Sequence, residues 1–339
     1  MIAPLDKKKH HYVPVTYLSR FTDEDGFIHC ARKPDPSNRI RIKPDEIAFR
    51  RYYYSQPLPW GGQDNNRLEN GLSEFDGLWD QIVEPLLAKA PSNHIAGDLI
   101  AFIGLQRVRV PAFRSAIEHA LAKCAKGTFD ELRAAGKMES PEEYPDLADQ
   151  VVFTIDPHQS IHAMAKLLTS TGAVLEKLGF VVLHNETDHD FITSDNPVSY
   201  YSMDEKTGDL APYRFDAKAH NELVFPVSPR VVILGRSADC SRYASRGLKH
   251  ISTKNANEIK RINTIVARFA HEALLSRTPL NAHFVLAHSP TSPVLDPAFP
   301  GFDPDNIRLP PFVFGERVSL PKWDRKKDYK PRLPGLPGS

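Results

Sequence analysis

Two adjacent imidazoles, His10 and His11, an Asp195-Asn196 pair ahead of Pro197, and Arg109 are the side chains of this chain best suited to acid–base or ligand chemistry. Other polar groups stand on helical stripes that should be apolar, and burying such groups costs free energy unless they are paired. Gln106 and Arg109 continue the row Ile95, Leu99, Phe102 at steps of four and three, so both point toward a core. Glu69 and Asp76 are seven residues apart and flank Leu72 and Trp79 on one side of a helix. Asn263 stands four residues after Ile259 and three before Val266, which places an amide inside an apolar face. If they converge, these groups supply imidazoles, carboxylates, amides and a guanidinium, the equipment for binding a metal ion or a phosphate. Singly, each has a structural reading. Arg109 can pair with Glu69 or Asp76, Asn263 can satisfy a loop carbonyl, and Asp195-Asn196 can clamp a turn before proline.

The elements that must position these groups follow from periodicity and turn chemistry. Residues 180–201 read as a hairpin of two short apolar strands, 180–183 and 191–193, joined by turn formers and stopped by Pro197, which has no amide hydrogen for a ladder. Residues 27–31 and 39–42 read as strands, and 45–62, with Tyr52, Tyr53, Tyr54 and Trp60, as an ordered loop. Helical periodicity runs over 66–90, again after Ser92 until Pro111, and then over 113–125. Asp156-Pro157 opens another helix lasting to about 178. Strands follow at 223–227 and 231–234, which Pro226 and Pro229 should hold apart or at an edge. The last long helix is expected over 255–276, and 284–287 as a final strand. Strands, helices, strands and a helix in that order, without regular βαβ alternation, argue for an α+β fold with a mainly antiparallel sheet and an embedded section of long helices. We expect one domain over 1–289, with the helical section at 66–178 inside it. Residues 290–339 hold eleven prolines and read as an extension with a disordered tail.

With 43 basic and 42 acidic residues, no global field draws the protein to nucleic acid or an anionic membrane. The three cysteines are far apart and odd in number, which fits a reducing, cytoplasmic setting. No apolar run is long enough to span a bilayer, so no membrane partner is expected. A G-x-S-x-G elbow, a Gly-rich phosphate loop and a Rossmann fingerprint are all missing from the sequence.

The segments HHYVP, TYLSRFTDEDG, LQRVRVPAFR, FITSDNPV and FPVSP, with Asn263 late on a helix, together resemble the uncharacterised bacterial family called domain of unknown function 4238 (DUF4238). The resemblance covers roughly residues 8–276. It picks out His10, His11, Pro14, Gln106, Arg109, Asp195, Asn196, Pro197 and Asn263, and it implies no reaction. Val15 stands where such proteins often have Gln.

Two functions compete, with the first the leading expectation. A metal-assisted hydrolase, such as a nuclease acting on phosphodiesters, would use Mg, Mn or Zn. His11 and Asp195 would be metal ligands, His10 or His11 the base, Asn196 a further catalytic group and Arg109 the phosphate clamp. The His-His-x-x-Pro run resembles the first motif of the ββα-metal nucleases, but no His lies between His29 and His94 to complete it. Alternatively, a non-catalytic module binds a small anionic ligand or a peptide through the same cluster, with Gln106, Asn263, Glu69 and Asp76 as binding groups and the aromatic loop closing over it. Nucleic-acid binding through local basic runs such as 7–9 ranks behind both.

Overall fold

A computed structural model of the chain describes residues 7–301 and 310–317. The β-rich segments divide between two main sheets, and the fold is α+β. The larger sheet has six strands in the order Leu210–Pro212, Ser199–Met203, His220–Ser228, Val231–Arg236, Gly179–Asn185 and Lys249–Thr253, antiparallel except for its last pair. The smaller has four, Arg39–Ile42, Ile28–Arg32, Ala273–Ser276 and Thr193–Ser194. Lys9–His11 pairs separately with Phe49–Arg51, and Ser292–Leu295 with Phe312–Gly315.

The expected hairpin at 180–201 does not form, because its two strands belong to different sheets. The cause lies in the polar connection. Asn185 bonds the His189 carbonyl and accepts from the Thr187 amide, so the loop closes on itself. The Phe191 amide then donates to the Pro229 carbonyl instead of to a neighbour across a turn. Gly179 can begin its strand only without a side chain, since a Cβ there would lie 2.1 Å from the Asp239 carbonyl oxygen.

The proline-flanked strands also depart from expectation. Residues 220–228 and 231–236 pair with each other in the middle of the sheet, with a bulge between Pro226 and Ser228. On its other edge the first of these strands pairs with 199–203 only as far as Val224, so the missing amide of Pro226 costs no ladder bond there.

The helical section is Arg67–Asp76, Trp79–Leu87, Ala96–Arg109, Pro111–Ala134 and Pro157–Leu175. Periodicity over 66–90 is real but broken at Gly77-Leu78. Ser92 is not a side-chain cap; its hydroxyl donates to the Ala90 carbonyl. Pro111 ends one helix and occupies the first turn of the next, and Asp156 caps the helix after it by accepting from the His158 amide. Tyr17, fully buried on the short helix Val15–Leu18, joins the layers. Its hydroxyl donates to the Pro226 carbonyl of the large sheet and accepts from Thr193 of the small one, while its ring packs on Trp79 and Phe225.

The last long helix is Ala256–Phe269, shorter than its periodicity suggested, and residues 273–276 are a strand. Its end is held by groups from far away in sequence. The Lys33 ammonium donates to the carbonyls of Ala267, Ala270 and Thr291, and Asn196 donates to that of Phe269. Ala282–His288, expected as a strand at 284–287, is a helix capped by Asn281.

Candidate functional site

The predicted site residues gather in two groups rather than one. The first lies where the N-terminal strand meets the helical section. Gln106 donates to the Tyr12 carbonyl at 2.9 Å and accepts from Nε and Nη2 of Arg109, whose Nη1 reaches Asp76 at 2.8 Å. Arg109 is 1% exposed, and this ion pair is the structural reading of its place on the helix. His10, also fully buried, donates from Nε2 to the Lys7 carbonyl and accepts the Tyr54 amide at Nδ1, with its ring stacked on Tyr54. Its two nitrogens hold backbone, which makes it a clamp on the N-terminal strand. His11 donates to the Asp45 carbonyl at 3.2 Å, and burial lowers its pKa.

Glu69 completes this group. Its Oε2 is buried without a hydrogen-bond partner among the described residues. Burial first, then Lys7, Asp76, Arg109 and the His11 amide with smaller and partly opposed effects, leave its carboxyl at about 7 instead of 4.5. An acid raised by folding binds more protons in the folded state, so it favours folding below about 4.5 and loses that contribution as pH climbs through 7. Wild-type protein should therefore lose stability from pH 5 to pH 7 relative to Glu69→Gln, read as the difference in urea midpoint at each pH. Equal pH slopes for the two proteins would remove Glu69 as the cause.

The second group surrounds Asp195, 2% exposed in the turn that leaves the small sheet. Its Oδ1 accepts the His271 amide at 2.9 Å and its Oδ2 the Glu272 amide at 2.7 Å. Burial raises its pKa; the neighbouring His271 charge and these two amides oppose the rise. Asn196 donates to the Tyr213 hydroxyl at 2.6 Å as well as to Phe269. Tyr12 links the two groups: its carbonyl accepts from Gln106, while its hydroxyl is held well above the usual range by burial and then by the Asp195 charge. Asn263 stands apart, donating to the Asp190 carbonyl and accepting the Ile192 amide, and so pins the loop before Asp195.

The most telling residue of this region escapes sequence reasoning. Arg107 is 1% exposed, and among the described residues none of its Nε, Nη1 and Nη2 atoms has a hydrogen-bond partner. Its guanidinium lies 3.4 Å from the ring centre of Tyr213, 4.6 Å from that of Phe113 and 5.3 Å from that of Phe312. The Tyr200 hydroxyl is close enough for the guanidinium to lower its pKa, first by its charge and then as a weak hydrogen-bond donor, against the rise that burial causes, although no pair of their atoms meets strict hydrogen-bond geometry. Asn196 Oδ1 is likewise buried and unpartnered. Tyr213, the floor of this cage, has φ +56°, a left-handed backbone that costs a bulky residue about 1–3 kcal/mol.

His11 and Asp195 do not assemble as a metal pair. Both carboxylate oxygens of Asp195 are taken by amides, His11 faces a carbonyl, and among the described residues no cluster of three or more His, Cys, Asp or Glu is placed to hold a metal ion. The aromatic loop does not close over the site either: Tyr54 is buried beneath it, while Trp60 is 81% exposed. No helix among the described residues is long and apolar enough to cross a membrane.

The chain belongs to the DUF4238 family, described as a protein of unknown function, which matches residues 9–279. No curated protein and no solved structure matches it. Phe312, one wall of the Arg107 cage, therefore comes from beyond the span the family defines.

Proposed function

We propose that the protein is a binding module for a small anionic ligand, a carboxylate or phosphate group held by the buried guanidinium of Arg107. The observation that carries this reading is the energetic imbalance at that residue. Taking a charge out of water costs several kcal/mol even after relaxation, whereas stacking on aromatic rings returns only about 2 kcal/mol when desolvated. Five guanidinium N–H donors in a fixed fork match an oxyanion in two-point contact, and this would close the deficit. Asn196 Oδ1, buried without a partner among the described residues, adds an acceptor, and the Tyr200 hydroxyl, which has no strict-geometry partner, adds a donor. The strained Tyr213 is what a purely structural cage would have little reason to keep.

The test is a thermal-shift series on the full chain with phosphate, sulfate, acetate, dicarboxylates and nucleotides. A fitting anion at a hundred times its Kd stabilises the folded state by about 2.7 kcal/mol. Uniform indifference to every anion would overturn the reading.

A second reading, metal-assisted hydrolysis of a phosphodiester with Mg, Mn or Zn, is favoured by one observation: the Glu69 carboxyl, near 7, sits with His11 and Arg109 and is tuned as a general acid or base would be. Its signature would be turnover of a phosphodiester by metal-loaded protein that Glu69→Gln abolishes without changing anion binding at Arg107.

A further inference from the structure

A second polar constellation lies away from both groups, at the carboxyl ends of Gly179–Asn185 and Lys249–Thr253, the parallel pair of the large sheet. There a cleft of about 530 Å³ is lined by Arg20, Lys89, His184, Glu186 and Arg230 among others. A hydrogen-bond chain runs from backbone into it. Ser92 donates to the Ala90 carbonyl at 2.6 Å, so its oxygen is left to accept from His250 Nε2 at 3.2 Å. The Ala90 carbonyl also acts on the His250 ring, and a carbonyl can only accept. His250 therefore carries its proton on Nε2, and its Nδ1 accepts from His184 Nε2 at 2.9 Å. By this chain the tautomer of His184 is set, and its Nδ1 is a lone pair on a ring that lines the cleft.

Burial, with Lys89 and His250, pulls His184 down to about 4 against the weaker pull of Glu186, so that lone pair persists at neutral pH. Lys89 is unusual too. It ends the helix Trp79–Leu87 with φ +54°, where glycine would be unstrained, and its ammonium reaches Ser252 at 3.0 Å and Glu186 at 3.3 Å on the rim. Arg230 holds the Thr187 carbonyl and lies 3.4 Å from Asp190, and Arg20 pairs with Asp80 and Glu84. The cleft thus combines one fixed acceptor with the cations Lys89 and Arg230 in its lining, each of which also has a partner on the rim.

We infer that this cleft is a binding site for a small acid bearing a neighbouring hydroxyl, whose hydroxyl donates to His184 Nδ1 while its anionic group lies between Lys89 and Arg230. The site is independent of Arg107, and its test is made on the Arg107→Met chain as well as the wild type.

The experiment is nitrogen NMR of the full chain labelled at histidine, titrated with glycerate and, for comparison, propionate. Both rings should show the Nε2–H tautomer, with His184 unprotonated from about pH 5 to pH 8. Glycerate should move the His184 Nδ1 resonance in both backgrounds, and propionate should not. His184→Leu should weaken glycerate binding about tenfold. In His184→Asn a side-chain oxygen stands near the place of Nδ1, and most of the affinity should return. An ordinary titration of His184 near pH 6.5, an unmoved Nδ1 at millimolar glycerate, or equal affinity in His184→Leu would each overturn the site.

Discussion

Arg107→Met should leave the ligand-free protein as stable as the wild type or more so, and should at the same time abolish stabilisation by anions. The two halves belong together. A buried cation without hydrogen-bond partners is a standing cost, and well-packed apolar replacements of buried charges are often neutral or stabilising by about 1–4 kcal/mol. Methionine keeps an unbranched stem and a polarizable end against Tyr213, Phe113 and Phe312, so the cage stays filled. Arg107→Lys separates charge from geometry: it retains a cation but not the fork, and should bind anions at least about tenfold more weakly than arginine. Urea unfolding of the three proteins, with and without the best anion of the thermal-shift series, reads all of this. If the guanidinium is instead a structural cation, whose ring contacts outweigh its desolvation, Arg107→Met will unfold at lower urea with or without ligand, and the binding reading fails.

Why Arg107 was invisible in the sequence, when Gln106 and Arg109 on the same turn were not, is a matter of how the helix is buried. A stripe argument assumes one wet face and one dry face. In Ala96–Arg109 the residues Phe102, Ile103, Gly104, Gln106, Arg107, Val108 and Arg109 are all buried, so the helix end is enclosed on every side. Gln106 and Arg109 stand out because they continue an apolar row; Arg107 lies off that row, and its spacing does not mark it. The α+β class, the strands 28–32 and 39–42, the helix beginning at Asp156-Pro157 and the break at Pro111 were legible because local chemistry decides them. The split of 180–201 between two sheets, in place of the expected hairpin, was not, since strand pairing depends on partners such as Val231–Arg236 and Ala273–Ser276 that lie tens of residues away. The same holds for the helix end at Phe269. Its periodicity continues past that point, and it is Lys33 and Asn196, brought in by other elements, that satisfy the terminal carbonyls and let the chain turn.

That turn is where Asp195 acts, and Asp195→Ala should lower stability by about 3 kcal/mol, as two part-buried amides, those of His271 and Glu272, lose their acceptors at once. Against a total stability of 5–15 kcal/mol for a typical domain, this is enough to move the urea midpoint far below that of the wild type. Asp195→Asn should fall between the two proteins, because one carboxamide oxygen can still accept while its NH₂ group faces a second donor. A catalytic or metal-ligating Asp195 would give the opposite pattern, with turnover lost in both variants and the midpoint almost unchanged. The geometry favours the clamp: both carboxylate oxygens are already committed, and the segment they hold leads straight into Ala273–Ser276, the strand that joins Ile28–Arg32 to Thr193–Ser194 in the small sheet. Asp195 itself precedes Asn196, whose other bond fixes the Tyr213 hydroxyl under the Arg107 cage. Loosening the clamp should therefore weaken anion binding indirectly, in proportion to the stability lost and not beyond it. A variant that kept its midpoint but lost the anion would instead place Asp195 in direct contact with the ligand.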